Sequence, residues 1–469
     1  MREHDDRAVI AIIGGGSSGA VVAHQIARRR PGEFRIVVIE PRDHLGGGLA
    51  YSTEEPAHRI NVPATRMSFV PSDPCHFDRW LKADVALHED PDALTADGRA
   101  FPRRSVFGRY AAATLEPYLL SGAIEHRVAR ATGATKTARG YAVTLSDGAT
   151  LDADVLVLAA THPAPVAPAA FASLIDDPRI VVDAQRGGAF DAIPADARIL
   201  IVGTGLTMAD AVASLERRGH RGPIVAVSRR GLLSRGHGGE AGDFGDFSTE
   251  PETRASRLLL RIRRVVDAAE AQGLTWRNAL DAVRTQAPVI WGALPVAERR
   301  RVVRRLRPFW DVHRFRVAPQ IEAAIARLRA AGQLTVLKGE PKRVEADDAG
   351  LATTLRLAGG GERGFVFDRV ILATGPAHSQ LTVSDPLFAA LAREGLVRLD
   401  DVGLGLAVDA SSRAIGADGL GAEAFWVAGP LARGAFGELM GQPEVTKHAE
   451  RVAGDVVLAL LARGERRAA

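Results

Sequence analysis

The sequence has little of three things: cysteine, long apolar runs and an excess of one charge. Its 469 residues include a single cysteine, Cys75, which excludes a disulfide framework, an all-cysteine zinc site and a Cys-x-x-Cys redox pair. No apolar run approaches the ~20 residues that a membrane-spanning helix needs. The polar start at residues 1–6 is unlike a secretory signal peptide. We therefore expect a cytoplasmic protein without a membrane partner.

Charge is nearly balanced, because 60 lysines and arginines stand against 56 acidic residues. A formal net charge of +4 does not indicate a nucleic-acid-binding surface, although it is compatible with holding phosphorylated cofactors. The chain is 46% hydrophobic and 25% charged, as ordinary globular proteins are. Its length predicts about three domain-sized units.

The first motif that the sequence contains is a glycine-rich turn at residues 14–19. An apolar run at 8–13 predicts a strand before it, while a helical stretch to about Arg29 and a second predicted strand at 35–40 follow. Glycines stand at the three positions that a dinucleotide-binding turn requires. The pattern therefore predicts a βαβ dinucleotide site.

Each residue of this first turn has a distinct predicted role. Gly14 permits the tight turn, Gly16 lets a pyrophosphate approach the backbone amides, and Gly19 allows the helix to pack closely on the strand. We place Ser18 with them, at the helix N-terminus that faces the phosphates. Glu40 ends the second strand and is positioned to hydrogen-bond ribose hydroxyls.

A second turn has the same pattern in weaker form. Gly203 and Gly205 lie between predicted strands at 198–202 and 224–228, but the third glycine is missing. The two turns together predict two sites, with FAD in the first and NADPH in the second.

The choice of NADPH rests on the end of the second strand. Ser228, Arg229 and Arg230 stand where an acid would repel a 2′-phosphate, and hydroxyl and guanidinium groups can hold one. A solvated loop is the alternative for Arg229 and Arg230. Two further turns complete the cofactor candidates, and they contain Gly375 and the pair Gly429 and Pro430.

The predicted fold class is α/β, with two Rossmann-like dinucleotide-binding domains and a helical insertion. The FAD-binding domain takes residues 1–170 and 371–469. The NAD(P)H-binding domain takes residues 190–370, and its insertion of helices takes residues 240–330.

Segments 46–52, 58–64, 73–81, 310–316 and 425–430, together with the two glycine turns, resemble a family of FAD/NAD(P)-binding proteins that is mostly without assigned substrates. Met67 and Ser68 also resemble, more distantly, the flavin-contacting stretch of amine N-hydroxylating flavin monooxygenases, which implies cofactor contacts for both. Segments 73–81 and 104–110 carry the same distant likeness to these monooxygenases.

The resemblance implies a reaction. NADPH reduces FAD, the reduced flavin and O₂ form a C4a-hydroperoxide, and a small nucleophilic substrate such as an amine or amino acid is oxidised. Such chemistry needs a dry, shaped pocket and no protein nucleophile, so no catalytic residue and no metal ligand are assigned. An NAD(P)H-dependent flavin oxidoreductase that passes electrons to a quinone, a protein or another acceptor is the alternative. A non-catalytic redox sensor ranks third.

Substrate contacts are predicted in one aromatic and basic cluster. Trp310, His313, Arg314 and Arg316 stand close together in sequence, and arginine can clamp a carboxylate through two hydrogen bonds. An equally weighted alternative makes the two arginines a structural ion pair or a support for NADPH phosphate.

Weaker candidates complete the prediction. Arg235 and His237 are possible contacts for cofactor or substrate, and Glu438 and Gln442 adjoin the flavin segment. Cys75 is expected to be a small buried residue, with a redox role as the alternative. A homo-oligomer is possible.

Overall fold

The computed structural model describes residues 7–163, 165–239 and 242–468, so the polar start at residues 1–6 lies outside the described residues. The strands are β1 (Val9–Ile13), β2 (Arg35–Ile39), β3 (Glu125–Arg127), β4 (Ala131–Lys136), β5 (Tyr141–Leu145), β6 (Thr150–Ala153), β7 (Val155–Leu158), β8 (Ile180–Val181), β9 (Ile199–Val202), β10 (Ile224–Ser228), β11 (Leu334–Asp347), β12 (Gly350–Leu357), β13 (Glu362–Phe367), β14 (Arg369–Leu372), β15 (Arg413–Ile415) and β16 (Gly421–Val427).

Helices alternate with strands in the two segments from β1 to β2 and from β9 to β10, which is the order that builds parallel sheets. They are α1 (Ser17–Arg29), α2 (Gly48–Tyr51), α3 (His76–Ala83), α4 (Ala86–Glu89), α5 (Arg104–Leu120), α6 (Leu206–Arg217), α7 (Ala255–Ala271), α8 (Trp276–Thr285), α9 (Ala287–Ala293), α10 (Val296–Arg305), α11 (Arg307–Arg314), α12 (Pro319–Ala330), α13 (Leu381–Ser384), α14 (Pro386–Arg393), α15 (Arg433–Phe436) and α16 (Gln442–Ala468).

Two sheets of parallel strands dominate the described part of the chain. The first has the order β15-β16-β7-β1-β2-β3 and is parallel except for its edge strand β15. The second has the order β13-β12-β11-β10-β9-β14-β8, with β12 and β13 antiparallel and the rest parallel. The predicted α/β class with two Rossmann-like units is confirmed.

The central strands are buried because helices cover them. In β1 the side chains of Ile10 and Ile12 are fully buried, and α1 packs beside α16 against this sheet. Near-continuous apolar runs of this kind are typical of parallel strands that are covered on both faces. The antiparallel β4, β5 and β6 form a separate small sheet.

The predicted domain boundaries stay predictions, and the strands lie around them as follows. β16 and α16 return to the first sheet and its helices, while β8 and β14 both belong to the second sheet. β14 therefore runs across residue 371, and β8 precedes residue 190. Helices α7 to α12 occupy 255–330, within the predicted insertion. The sequence pattern predicts separate strands at 334–337 and 343–345. The structure has the single strand β11 there, because its pairing with β12 continues past a bulge between Pro341 and Arg343.

Two ion pairs join the regions that carry the two sheets. Arg104 of α5 contacts Asp210 of α6 at 2.8 Å, and both side chains are nearly buried. Arg218 contacts Glu55 at 2.9 Å nearer the surface. None of the helices in the described residues combines the length and apolar character that crossing a membrane requires.

Candidate cofactor and substrate site

The first glycine turn lies where β1 ends and α1 begins, at the carboxyl edge of the first sheet. Gly14 has a φ of +98°, and a Cβ there would come within 2.6 Å of the Ala159 carbonyl oxygen. A Cβ on Gly19 would overlap the Gly14 carbonyl oxygen. A Cβ on Gly16 would lie 3.3 Å from the Gly48 Cα. The backbone therefore accommodates only glycine at positions 14 and 19, and it leaves little room for a side chain at position 16, as suits a turn that receives a pyrophosphate.

Glu40 closes the base of this turn. Its Oε2 accepts the Gly15 N–H at 2.9 Å, and its Oε1 accepts from the Arg42 guanidinium at 2.8 Å. The carboxylate is buried, and a carboxylate has about four lone-pair sites, so acceptor capacity remains for ribose hydroxyls. The predicted acid thus also fixes the shape of the turn itself.

Met67 and Ser68 lie beside the first sheet within the core. Met67 is buried, and the Ser68 hydroxyl donates to the Val70 carbonyl at 2.9 Å and accepts the Val70 N–H at 2.8 Å. The next residue, Phe69, donates its N–H to the Tyr110 hydroxyl at 3.1 Å. The Ser68 hydroxyl therefore supports the local turn of the backbone.

The C-terminal segment meets the start of α1. Gly429 has a φ of +85°, and a Cβ there would overlap the Ser18 hydroxyl, so the two predicted residues touch. Pro430 begins a short 3₁₀ turn directly afterwards. Gln442 donates to the Ser17 hydroxyl at 2.6 Å. The weaker candidate Gln442 is therefore part of the surroundings of the first turn.

The second turn repeats this construction at the end of β9. Gly203 has a φ of +122°, and a Cβ there would overlap the Ala373 carbonyl oxygen. No atom lies within 4 Å of a Cβ built on Gly205, so the N-terminus of α6 opens onto free space. A helix N-terminus with exposed amides is a site for a phosphate. Gly375 has a φ of +76° and likewise has open space beside it.

The predicted 2′-phosphate residues at the end of β10 are placed differently from one another. The Thr204 hydroxyl donates to the Leu232 carbonyl at 2.6 Å, so Ser228, 2.8 Å away, donates its own hydrogen to Thr204. The Arg230 guanidinium lies 4.8 Å above the Phe309 ring. Arg229 is exposed and forms no ion pair or hydrogen bond with any described residue. Arg229 is therefore the group most available to a phosphate.

The four predicted substrate residues fall into separate surroundings. Arg316 pairs with Asp281 through two hydrogen bonds of 3.0 and 2.9 Å. His313 bonds the Phe309 carbonyl at 2.7 Å. Trp310 and Arg314 lie together elsewhere, and Trp310 donates to Glu438 at 3.3 Å.

Arg314 belongs to a buried charge network. It contacts Glu438 and Glu444, each at 3.0 Å, and Arg284 contacts Glu444 at 2.6 Å. Burial lowers the pKa of Arg284. The network joins the helical segment to the chain around Gly441, where an added Cβ would approach Arg314 to 2.6 Å.

Two histidines meet where the two sheets approach each other. His162 follows β7 and His378 follows β14, with ring centroids 4.9 Å apart in a T-shaped arrangement. Burial lowers the pKa of His162 to about 4 and that of His378 to about 3. Both imidazoles are therefore neutral at pH 7.

A basic cleft of about 370 Å³ lies between the chain near Pro63 and the chain after β10. Its charged lining is Arg66, Arg99, Arg316 and Asp281, with His237 beside them. His237 donates from Nε2 to the Asn61 carbonyl at 3.0 Å, and burial lowers its pKa to about 4. Of the weaker candidates, His237 thus lines a cavity.

The expectation that Cys75 is buried is wrong. Its side chain is exposed at the start of α3, and its only near polar contact in the described chain is the Thr65 carbonyl, 3.7 Å from Sγ. The reason is its place in the turn before α3, since the apolar face of that helix begins with Phe77.

Comparison with known proteins relates the first unit to cofactor-binding proteins. Residues 11–163 are similar to an FAD-NAD(P)-binding family, whose model they match. A search of curated protein sequences finds no match.

Solved structures resemble the whole chain at low identity. L-lysine 6-monooxygenase from Pseudomonas syringae is 18% identical, with a TM-score of 0.65 over 97% of this chain and 100% of that one. Ornithine hydroxylase from Pseudomonas aeruginosa is 17% identical, with a TM-score of 0.64 over 97% and 100%. Ornithine N-hydroxylase from Kutzneria sp. 744 is 15% identical, with a TM-score of 0.63 over 98% and 99%. At these identities the likeness shows a shared fold.

The matched residues contain the first glycine turn and Glu40. The predicted resemblance to an FAD/NAD(P)-binding family is confirmed, and the roles of the individual site residues stay predictions. Sequence reasoning missed Gly48, Arg66 and Arg99. Gly48 stands within the segment that carries the resemblance, and Arg66 directly precedes Met67 in another, so both had a signal. Arg99 had none, because only the fold brings it beside residues 316 and 237.

Proposed function

We propose that the protein is an NADPH-dependent FAD monooxygenase that oxidises a small nucleophilic substrate such as an amine or amino acid. In the overall reaction one oxygen atom of O₂ enters the substrate and the other leaves as water, while NADPH and a proton become NADP⁺. The observation that carries the proposal is the pair of glycine-containing turns, one at the carboxyl edge of each parallel sheet, with Gly14, Gly19 and Gly203 at positions that exclude a side chain. The likeness to three amine hydroxylases over at least 97% of this chain supports it.

The first turn is the site proposed for FAD. The amides at the start of α1 bind its pyrophosphate, and Glu40 accepts from its ribose hydroxyls. Bound FAD supplies a two-electron carrier between NADPH and O₂. The protein orients it through Gly14, Gly16 and the contact between Gly429 and Ser18.

The second turn is the site proposed for NADPH. Gly205 leaves room at the N-terminus of α6 for a pyrophosphate, and Arg229 pairs with the 2′-phosphate. The Arg104–Asp210 pair ties α6 to α5, which keeps this site in a fixed position relative to the first sheet.

Exclusion of water is the remaining requirement of the reaction, and the chain around α11 and α16 supplies it. Arg284, Arg314 and Glu438 are buried there, and they form ion pairs with one another and with the partly exposed Glu444. We propose that this network seals the reaction site and holds the C-terminal segment against the helical segment.

The test is to mix FAD-loaded protein with NADPH and follow flavin absorbance, oxygen uptake and product mass. Flavin bleaching with oxygen uptake, and a gain of one oxygen atom by an amine or amino acid, is the expected result. Fast bleaching with transfer of electrons to a quinone, and no oxygen incorporated into any amine, would instead establish the electron-transfer alternative. Absence of bleaching by NADPH would remove both.

A further inference from the structure

The basic cleft contains more positive charge than its acids neutralise. Arg316 is paired with Asp281, and Arg99 with Asp97 at 2.6 Å. The Arg66 side chain has no ion pair or hydrogen bond among the described residues. An unpaired guanidinium at the wall of a cavity is a group that can bind an anion through two hydrogen bonds.

Residues around the cleft do not remove this excess. Arg277 donates to the Gly236 carbonyl at 3.2 Å, and burial, with Arg316 and Arg235 nearby, lowers its pKa. Glu322 is an additional acidic residue near Arg277. Five guanidinium groups thus lie in or beside the cleft, those of Arg66, Arg99, Arg235, Arg277 and Arg316. Three carboxylates lie there with them, those of Asp97, Asp281 and Glu322, so the formal charge is +2.

The same geometry disfavours a cationic ligand. Asp281 is the only carboxylate in the described lining, and both its oxygens accept from Arg316. His237 has already committed its Nε2–H to a carbonyl. A ligand of net positive charge, such as L-ornithine, would meet guanidinium groups there without a free carboxylate to balance its charge.

We propose that the basic cleft binds the substrate of the proposed monooxygenase, and that this substrate carries two anionic groups, as an amino dicarboxylate does. The inference rests on the proposed function for its role as substrate. Arg66 holds one anionic group, and Arg99 and Arg316 hold the other. Gly238 and Gly239 in the lining have no side chains, which lets the ligand approach the backbone.

The experiment is calorimetric titration of the FAD-loaded protein at constant ionic strength, without NADPH. Malonate, L-aspartate and L-glutamate are the dianionic probes, and L-asparagine, L-glutamine and L-ornithine are the comparison set. We expect at least one amino dicarboxylate to bind at least tenfold more tightly than its amide and than L-ornithine. Failure of all three dianionic probes to bind saturably, or tighter binding of L-ornithine, would overturn the proposal.

Variants test the residues separately. Arg66→Gln should weaken the dicarboxylate at least tenfold, whereas Arg66→Lys, which retains the charge, should weaken it less. The matched control is Arg257→Gln, on an exposed face of α7, which should bind as the parent does. Should Arg66→Gln not retain flavin, Arg99→Gln provides the same test.

One outcome would assign the cleft to the cofactor instead. If Arg66→Gln weakens NADPH tenfold and leaves dicarboxylate binding unchanged, the anion in the cleft is a cofactor phosphate and the proposal is wrong. Because the titration uses neither NADPH nor oxygen, failure of the proposed monooxygenase reaction would appear separately, as absence of flavin bleaching.

Discussion

At the end of β10, a hydroxyl and two guanidinium groups that adjoin in sequence have quite different partners. Ser228 gives its hydrogen to Thr204, and Arg230 stacks on Phe309, so their interaction capacity is partly used. Arg229 extends into solvent without a protein partner among the described residues. A single exposed charge can determine cofactor choice here, because NADPH and NADH differ only in the 2′-phosphate.

Arg229→Ala is expected to weaken NADPH by about 1–3 kcal/mol, since a charge-assisted hydrogen bond is lost. Affinity for NADH should change little. Fluorescence titration of both cofactors measures this difference, with Arg329→Ala, an exposed position on α12, as the control. Equal affinity of the parent for NADH and NADPH would show that Arg229 does not bind the phosphate.

At the scale of elements, the β1–α1 unit depends on backbone atoms lying too close for any side chain. The Gly19 Cα faces the Gly14 carbonyl oxygen, so α1 packs on the end of β1 with no side chain between the two backbones. The same closeness presents the helix amides to a bound pyrophosphate. Stability and cofactor binding therefore rest on the same few atoms.

Gly19→Ala is expected to destabilise the protein by about 1–3 kcal/mol or more, because the added Cβ overlaps backbone that cannot move aside alone. Purified protein should contain less than stoichiometric FAD. Flavin absorbance per protein and the melting temperature are the measurements.

The control for that substitution is Gly464→Ala in α16, where no atom lies within 4 Å of the new Cβ. Alanine there should retain full flavin content and leave the melting temperature equal or higher, since it favours the helix. A Gly19→Ala protein with full flavin content would contradict the proposed role of the turn.

At the scale of the whole molecule, the free energy of unfolding at acidic pH depends on histidines that are neutral in the folded state. Burial is the first cause in every case, and it lowers the pKa to about 4 or about 3. These residues are His24, His162, His237, His378 and His448. His24 and His448 lie on α1 and α16, and the other three lie in segments that follow β7, β10 and β14. Protonation therefore opposes folding in several parts of the chain.

Stability is expected to fall as the pH decreases from 6.5 to 4. In that window the unfolded chain binds protons on these histidines at their ordinary pKa of 6.5, and the folded chain does not, so protons favour unfolding. Each histidine contributes a slope of about 1.4 kcal/mol per pH unit. Melting temperatures across this range measure the effect.

Substitution of one of these histidines tests the cause. His448 is nearly buried and accepts the Gly429 N–H at 3.1 Å. His448→Gln should therefore reduce the slope of the unfolding free energy against pH by about the contribution of one histidine. His88→Gln, at an exposed position, is the control and should leave the slope as it is. A parent protein whose melting temperature is constant from pH 6.5 to 4 would refute the assignment.

Local pattern in the sequence determined the two dinucleotide turns, the α/β class and the helical segment. A strand, a turn of fixed glycine spacing and a helix are contiguous in the chain, so their geometry can be inferred from nearby residues alone. For the same reason Gly14, Gly19 and Gly203 were identified correctly as positions that the turns need.

Only the tertiary structure decided how distant charged residues pair. Arg314 and Arg316 are two positions apart, yet one lies beside Glu438 and Glu444 and the other beside Asp281 in the cleft. Arg66 and Arg99 line the same cleft as His237, although they are far from it in the sequence. Ion pairing depends on the distance between two charged groups in space and on their burial. When the partners belong to different elements, their spacing in the sequence does not predict either quantity.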